Sequence, residues 1–401
     1  MSSAPLGAGL VGCGAFGAYV LDAVAGLPGL GIRAVADADT HRAAPLGARH
    51  GAAVCDGLDA LLARADVDVV VIATPPHTHA DLAVRALRGG RHVFCEKPLA
   101  LTAEDARRVG DEARRSGKAL AVDHVLRHNP LLRALERLMA EGLLERPRRF
   151  LFENDAADED LGPDHWFWDP ARSGGIFVEH GVHFFDAAEA LLGAAPATVR
   201  ATAVRRRGGP VDMVVADVVH ESGALATHLH SFTHAHRAER QLMRLDHGFA
   251  ESVITGWIPT RATVTAWTDD DGAARWERLP LRAAELLDVA GFEPSGDERV
   301  TVRVERGAGG SAPASGRGVS RTVPHRVEAV VDLGGEAAKA RVYTQSVRAA
   351  FADLMHSAAT GSAPVAGAAA GISSVAVAEA AARAATSGTE RHVAARQGGT
   401  P

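Results

Sequence analysis

Residues Ala8–Asp37 read AGLVGCGAFGAYVLDAVAGLPGLGIRAVAD, and the architecture of the first part of the chain follows from them. The apolar run Ala8–Val11 leads directly into Gly12-Cys13-Gly14-Ala15-Phe16-Gly17. A helix-like segment follows over Ala18–Ala25, and an apolar strand candidate, Ile32–Ala36, ends at Asp37. In a G-x-G-x-x-G turn the first glycine permits the tight bend and the second lets backbone approach a pyrophosphate. The third lets the helix pack closely on the strand. The helix start, at Ala15 and Phe16, supplies unpaired N–H groups and a favourable dipole for an anion. An acid roughly twenty residues further on is placed to accept from the adenosine ribose hydroxyls. The glycines alone are a weak signal in a chain with 42 of them. Strand, glycines, helix, strand and terminal Asp in that order predict a dinucleotide site. Asp37 favours NAD, because a carboxylate repels a 2′-phosphate, and nearby Arg42 leaves NADP open.

The strand–helix alternation continues. Val67–Ile72 is an almost unbroken β-branched run, as suits a strand buried on both faces of a parallel sheet. It ends in Ala73-Thr74-Pro75-Pro76-His77-Thr78-His79, where Thr78 and Asp81 are spaced as a helix cap. His92–Cys95 is a short strand running into Glu96-Lys97-Pro98. Thr102 with Asp105 caps a further helix that ends near Gly117, and Ala119–Val122 is one more strand. Ligands in open α/β sheets sit at the carboxyl ends of strands. The loops at Thr74–His79 and Glu96–Pro98 are of that kind, so Thr74, Pro75, His79, Glu96 and Lys97 join the cofactor-binding candidates.

A second informative stretch is Ser173–Asp186, SGGIFVEHGVHFFD. On an α-helix, at about 100° per residue, Glu179, His183 and Asp186 share one side, His180 points a quarter-turn away, and Phe177, Phe184 and Phe185 cover the back. A carboxylate four residues from an imidazole can fix its tautomer and tune it for proton transfer. Read alone, the stretch also suits an amphipathic core helix with a few satisfied polar groups.

The four motifs together (the early glycines, ATPPHTH, Glu96-Lys97-Pro98 and SGGIFVEHGVHFFD) resemble the glucose–fructose oxidoreductase/inositol dehydrogenase (Gfo/Idh/MocA) family in order and spacing, over nearly the whole chain. The resemblance implies an NAD(P)-dependent dehydrogenase acting on the CH–OH group of a sugar, cyclitol or related polyol. In it Lys97 and His183 match the catalytic Lys and His residue by residue. Glu179 stands where the family usually has Asp, and its extra methylene shifts the carboxylate by about a bond length, a displacement that matters for rate. The implied mechanism makes His183 the base and has Lys97 stabilise developing alkoxide charge. Read without the family, Lys97 is an ordinary solvated lysine. Trp166 and Trp168 can stack on a sugar ring or pack in the core. Arg127 and His180 are further substrate-facing candidates. Two other readings stay open: an enzyme that keeps NAD bound and uses transient oxidation to assist elimination or glycoside cleavage, and a non-catalytic nucleotide-sensing regulator.

Beyond Val122 the pattern changes. Asn129 and Pro130 start a helix as N-cap and first helical residue. Strand candidates then follow one another: Arg149–Glu153, Thr198–Val204, Met213–His220, Leu225–Thr233, Gln241–Leu245, Ser252–Trp257, Ala262–Trp267, Val300–Val304 and Val327–Val331. Apart from the Ser173–Asp186 stretch no helix intervenes, which argues for an antiparallel sheet. The predicted architecture is α/β then α+β: a Rossmann dinucleotide-binding domain over 1–125, and over 126–401 a substrate and oligomerisation domain built on a large open, mostly antiparallel sheet. Val347–Ala359 and Gly371–Ala385 are its C-terminal helices. The family resemblance implies a homodimer or homotetramer through the open sheet face.

Composition narrows the class. The 401 residues are 47% hydrophobic and 23% charged, with a formal net charge of −6, so there is no electrostatic footprint for nucleic acid or an anionic membrane. Cys13, Cys55 and Cys95 form no C-x-x-C pair, which argues for reduced thiols in a cytoplasmic protein. No Lys or Arg precedes Arg33, so a charged signal-peptide n-region is missing. Nineteen histidines raise the question of metal. Glu179-His180-x-x-His183 is not H-E-x-x-H. His228, His230, His234 and His236 alternate along one strand, and a half-exposed sheet face at an oligomer contact is favoured over a metal site, so no metal is expected.

Overall fold

The computed structural model describes residues 5–393. They fall into two compact units. The first holds the chain up to Val125 together with Asp164–Asp186 and Thr344–Glu379, and the second holds Leu126–Pro163, Ala187–Tyr343 and the chain from Ala380. The sequence division at residue 125 therefore needs amending, because 164–186 and 344–379 cluster with the first unit. Contiguity along the chain does not reveal which sheet a later helix covers.

The first unit is a six-stranded parallel sheet: β1 (Leu6–Val11), β2 (Leu30–Ala36), β3 (Ala53–Cys55), β4 (Val69–Ile72), β5 (His92–Cys95) and β6 (Leu120–Val122), in spatial order β3-β2-β1-β4-β5-β6. This is the doubly wound order whose direction reverses beside β1, and that reversal opens a crevice at the carboxyl ends of β1 and β4. β4 is fully buried along its length, as its unbroken β-branched run requires. The crossovers carry α1 (Ala15–Val24), α2 (Thr40–His50), α3 (Gly57–Leu62), α4 (His79–Arg88) and α5 (Ala103–Ser116). Thr102 caps α5 by accepting from the Asp105 N–H at 3.1 Å. Thr78 does not cap α4. Its hydroxyl donates to the Pro75 carbonyl at 2.8 Å and meets the Thr74 hydroxyl at 2.6 Å, because a 3₁₀ turn over Pro76–Thr78 directly precedes the helix. The later segments seal the sheet. Phe351 packs on Phe94, the Ala366 carbonyl accepts from the Val122 N–H, and Glu379 accepts from the Ala103 N–H at the start of α5.

The second unit opens with α6 (Pro130–Ala140), where Asn129 accepts from the Leu131 N–H at 2.9 Å. Its strands are β7 (Arg149–Ala157), β8 (Pro196–Arg205), β9 (Val211–His220), β10 (Leu225–His234), β11 (Arg240–Asp246), β12 (Ala250–Thr255), β13 (Arg261–Thr268), β14 (Arg299–Glu305), the hairpin β15 (Ala314–Gly316) and β16 (Val319–Arg321), β17 (His325–Asp332) and β18 (Arg391–His392). Ten of them form one sheet ordered β14-β17-β13-β12-β11-β7-β10-β9-β8-β18, in which β7 and β10 run parallel and the other neighbours antiparallel. Alternation along the strands buries one face, with Phe150, Phe152, Met243, Leu245, Val264, Val327 and Val331 inside. The opposite face carries cross-strand ion pairs such as Arg244–Glu251 and Arg326–Glu305. Helical segments over Asp270–Glu277 and Ala283–Leu286 interrupt the run of strands, and the sequence pattern does not announce them. Trp276, fully buried, anchors the first of them.

The histidine strand also departs from expectation. His228 and His230 are fully buried, stacked 6.2 Å apart with rings 2° from parallel, and packed on Phe150 and Phe152. They belong to the core and not to a half-exposed face. Burial, then the neighbouring His230 and His220, pushes His228 well below the ordinary imidazole range. An irregularity between Phe232 and His234 ends the alternation, and exposed His236 meets Asp160 and Glu159. Among the described residues no group of three or more His, Cys, Asp or Glu is arranged to hold a metal, and no helix is long and apolar enough to cross a membrane.

Candidate active site

The dinucleotide cradle is built as the glycines dictate. Gly12 has φ +99°, and a Cβ there would stand 2.4 Å from the Ala73 carbonyl oxygen. A Cβ on Gly17 would lie 1.9 Å from the Gly12 oxygen, whereas one on Gly14 would meet nothing within 4 Å. Two glycines are therefore required by packing, and the middle one faces open space. The first turn of α1 has no side-chain cap and no acidic residue, so no side chain there competes with or repels an anion at the positive end of the helix. Asp37, directly after β2, accepts from the Cys13 N–H at 2.6 Å and the Asp39 N–H at 2.8 Å. These bonds hold its carboxylate at the β1–β2 edge with lone pairs to spare for two ribose hydroxyls. Exposed Arg42 pairs with Asp39 at 3.5 Å. These residues fit an adenine dinucleotide: an open cradle over a helix N-terminus, with a carboxylate bonded to the Cys13 N–H of the glycine turn.

His79, expected from its loop to be a cofactor contact, has another job. It is buried, with Nδ1 2.7 Å from the Pro98 carbonyl oxygen and Nε2 2.7 Å from that of Thr74. The ring staples the two ligand-facing loops together. A neutral imidazole has one N–H to donate, so two carbonyls favour the charged ring. Burial first, and then the charges of Lys97 and His77, oppose this and keep it below its ordinary value.

The Ser173–Asp186 stretch is not one regular α-helix. Phe177–Gly181 forms a π-helical turn before the α-helix Val182–Leu192. A turn of this kind inserts one residue and rotates the helix beyond it, and such turns gather at functional sites. Glu179 consequently does not serve His183 in the way that four-residue α-helical spacing suggests. Its Oε1 accepts from Lys97 Nζ at 2.7 Å, and its carbonyl oxygen accepts from the same nitrogen at 2.9 Å. Both side chains retain some access to solvent, 16% for Lys97 and 15% for Glu179. An ammonium has three donors, and Glu179 takes two of them, leaving one to aim.

His183 is buried, with its ring edge-on to His124 at 6.4 Å. His124 in turn lies 3.1 Å from the Ser374 hydroxyl. His180 is half-buried against Phe184, and burial, then the Lys97 charge, pushes it down to about 3, so it is neutral at physiological pH. Phe177, Phe184 and Phe185 are buried, as is Asp186. Trp166 and Trp168, in a 3₁₀ turn around buried Phe167, are each half-buried. Arg127 belongs to the second unit.

Three residues of this region are not among the sequence candidates. Asp123 and His124 follow β6 directly, and Tyr19 on α1 lies close enough for the Asp123 charge to act on it. The rule applied to β4 and β5, that the residue after a parallel strand faces the crevice, extends to the first two. Asp123 is buried beside Glu96. The Glu96 carboxyl, a cofactor candidate on sequence grounds, is thus turned into the protein against a second carboxyl.

Residues 6–124 match the profile described as oxidoreductase family, NAD-binding Rossmann fold, and residues 132–247 match the GFO/IDH/MocA C-terminal domain. The 1,5-anhydro-D-fructose reductase of Ensifer adhaerens is 31% identical over 239 residues, 58% of this chain and 70% of that protein. The chain belongs to the Gfo/Idh/MocA oxidoreductase family. Its first unit is an NAD-binding Rossmann fold. An inositol 2-dehydrogenase of Rhizobium meliloti (strain 1021) is 36% identical over 195 residues, 49% of this chain and 57% of that protein. The alignment to this relative and to most of the others spans about half of their length. A crystal structure of a putative myo-inositol dehydrogenase from Sinorhizobium meliloti 1021 superposes with a TM-score of 0.68 at 24% identity, covering 97% of this chain and 100% of that one. A levoglucosan dehydrogenase in complex with NADH and L-sorbose gives 0.72 at 20%, covering 98% and 99%. These likenesses support the same fold.

Proposed function

We propose that this chain is an NAD(P)-dependent dehydrogenase that moves a hydride between a CH–OH carbon of a sugar, cyclitol or related polyol and the nicotinamide. One observation carries the reading: a single compact unit holds the glycine cradle, the Lys97–Glu179 pair and His183. NAD, when bound, supplies the hydride acceptor. His183 takes the hydroxyl proton as the carbinol is oxidised, and the remaining Lys97 N–H donates to the same oxygen as it gains charge. Proton transfer from a positioned base contributes about 10²–10⁴-fold, and a preorganised donor to a developing oxyanion contributes on the same scale. Glu179 anchors the lysine through two bonds and so leaves only one direction for the third. A longer carboxylate than Asp reaches back to Lys97 from the π-helical turn, which gives the substitution at this position a structural meaning.

The substrate class rests on relatives whose names include inositol and sugar-derivative oxidoreductases. His180, neutral and half-buried, and the exposed parts of Trp166 and Trp168 suit hydroxyl-rich rings with apolar faces. We also place Asp37 as the ribose acceptor, which favours NAD, and the ion-paired face of the large sheet as the contact in a homodimer or homotetramer. Incubation of the protein with NAD and a panel of sugars and cyclitols, followed at the nicotinamide absorbance, tests the reading. Reduction by at least one of them is expected. NAD binding without reduction by any member of the panel would count against it.

A further inference from the structure

β5 and β6 are parallel neighbours, registered so that Cys95 stands beside Val122. The next residue on each strand is Glu96 and Asp123, and the Asp123 N–H donates to the Cys95 carbonyl at 2.9 Å. The two carboxyls therefore leave the sheet side by side. Both are buried, 6% and 2% exposed. Glu96 Oε1 and Asp123 Oδ1 are shut off from solvent and, among the described residues, have no hydrogen-bond partner. The charge that acts on both is that of Lys97, the residue next to Glu96.

We propose that Glu96 and Asp123 share one proton, and that this singly charged pair, acting as a unit, positions Lys97 opposite Glu179. The proposal rests on the role given to Lys97 above. Two adjacent buried carboxylates cannot both stay ionised, and such a pair titrates as one system. Glu96 keeps the proton and donates it to the Asp123 carboxylate. Burial first, then the Asp123 charge and the bond to it, push Glu96 well above the usual carboxyl range. Burial raises Asp123 to about 6, with the Glu96 bond and then Lys97 restraining the rise. The other titratable groups around the pair are Cys95 before it on β5, Tyr19 from α1 and His124 after it on β6. Glu179, His180 and His183 approach through Lys97 and His124. Cys95 and Tyr19 are themselves raised and remain neutral, so Lys97 is what the pair's charge serves.

The amide substitutions E96Q and D123N separate this from a packing role. Each leaves one carboxylate facing an amide donor, so one negative charge survives. The double substitution E96Q/D123N removes it. Infrared titration of the full chain should show a protonated carboxyl at neutral pH that is lost in both single variants. Each single variant should lower kcat modestly and remove a pH-dependent limb from its profile. The double variant should lose more than the product of the two, roughly 10²-fold in kcat, with NAD affinity unchanged. No protonated carboxyl in the parent, or a double variant equal to the product of the singles, would overturn the proposal. The infrared arm is independent of turnover, so a failed dehydrogenase reading and a failed shared proton give different results.

Discussion

The Glu179 carboxylate lies 2.7 Å from the Lys97 ammonium, and the Glu179 carbonyl oxygen lies 2.9 Å from the same nitrogen. One residue thus holds the lysine through both its backbone and its side chain. If that grip aims Lys97 at the substrate, the two residues must act as a unit. K97A should lower kcat by about 10²–10³-fold, and E179A by less. The double variant should match K97A alone, a coupling of about 0.5–3 kcal/mol. Steady-state kinetics of the four proteins measures it.

The glycines predict a split between folding and binding. G17A places a methyl 1.9 Å from the Gly12 oxygen and should lower thermal stability by about 1–3 kcal/mol along with NAD affinity. G14A meets nothing within 4 Å, so it should melt like the parent and still bind NAD more weakly, because its methyl occupies the pyrophosphate's approach. Calorimetry of unfolding and of NAD binding reads both.

Asp37 makes two backbone bonds at the ribose end of the cradle. D37S keeps an acceptor for those N–H groups and removes the charge. The ratio of kcat/KM for NAD over NADP should fall by roughly tenfold or more, about 1.4 kcal/mol, chiefly through KM.

His180 yields a pH dependence of defined sign. Its folded value is depressed to about 3 by burial and then Lys97, against about 6.5 for an unfolded histidine. Below about 6.5 the unfolded chain binds the extra proton and the folded one does not, so His180 costs stability progressively as pH falls toward 3. H180L should therefore gain on the parent between pH 6.5 and 4, by on the order of 2 kcal/mol, and not above pH 7.5. Glu96 and Asp123 have the opposite sign, since their raised values favour the folded state on acidification, and they cancel when variant and parent are compared at each pH.

Much of the molecule is legible in its amino-acid order. The glycine turn followed by α1 and Asp37, the β-branched run of β4, and the strands of the second unit each carry a local signature: a period, a cap or a steric requirement for glycine. Lys97 and His183 stand out only through the family resemblance, and Glu179 as a departure from it. The differences concern partners. Four-residue spacing points Glu179 at His183 because it presumes an α-helix, and a π-helical turn at Phe177–Gly181 breaks that presumption. His79 and Glu96 read as cofactor contacts because their loops face the crevice, and both side chains turn inward instead.

The elements, their order and the residue types available for chemistry are all written in the amino-acid order, since they follow from periodicity, backbone sterics and local hydrogen bonding. The pairings are not, and they exist only in the folded molecule. Lys97 with Glu179, and Glu96 with Asp123, join residues 82 and 27 positions apart, and no local rule reaches that far. They are set by strand register, by the extra residue in the π-helical turn, and by burial that forces each charge to find a partner or a proton.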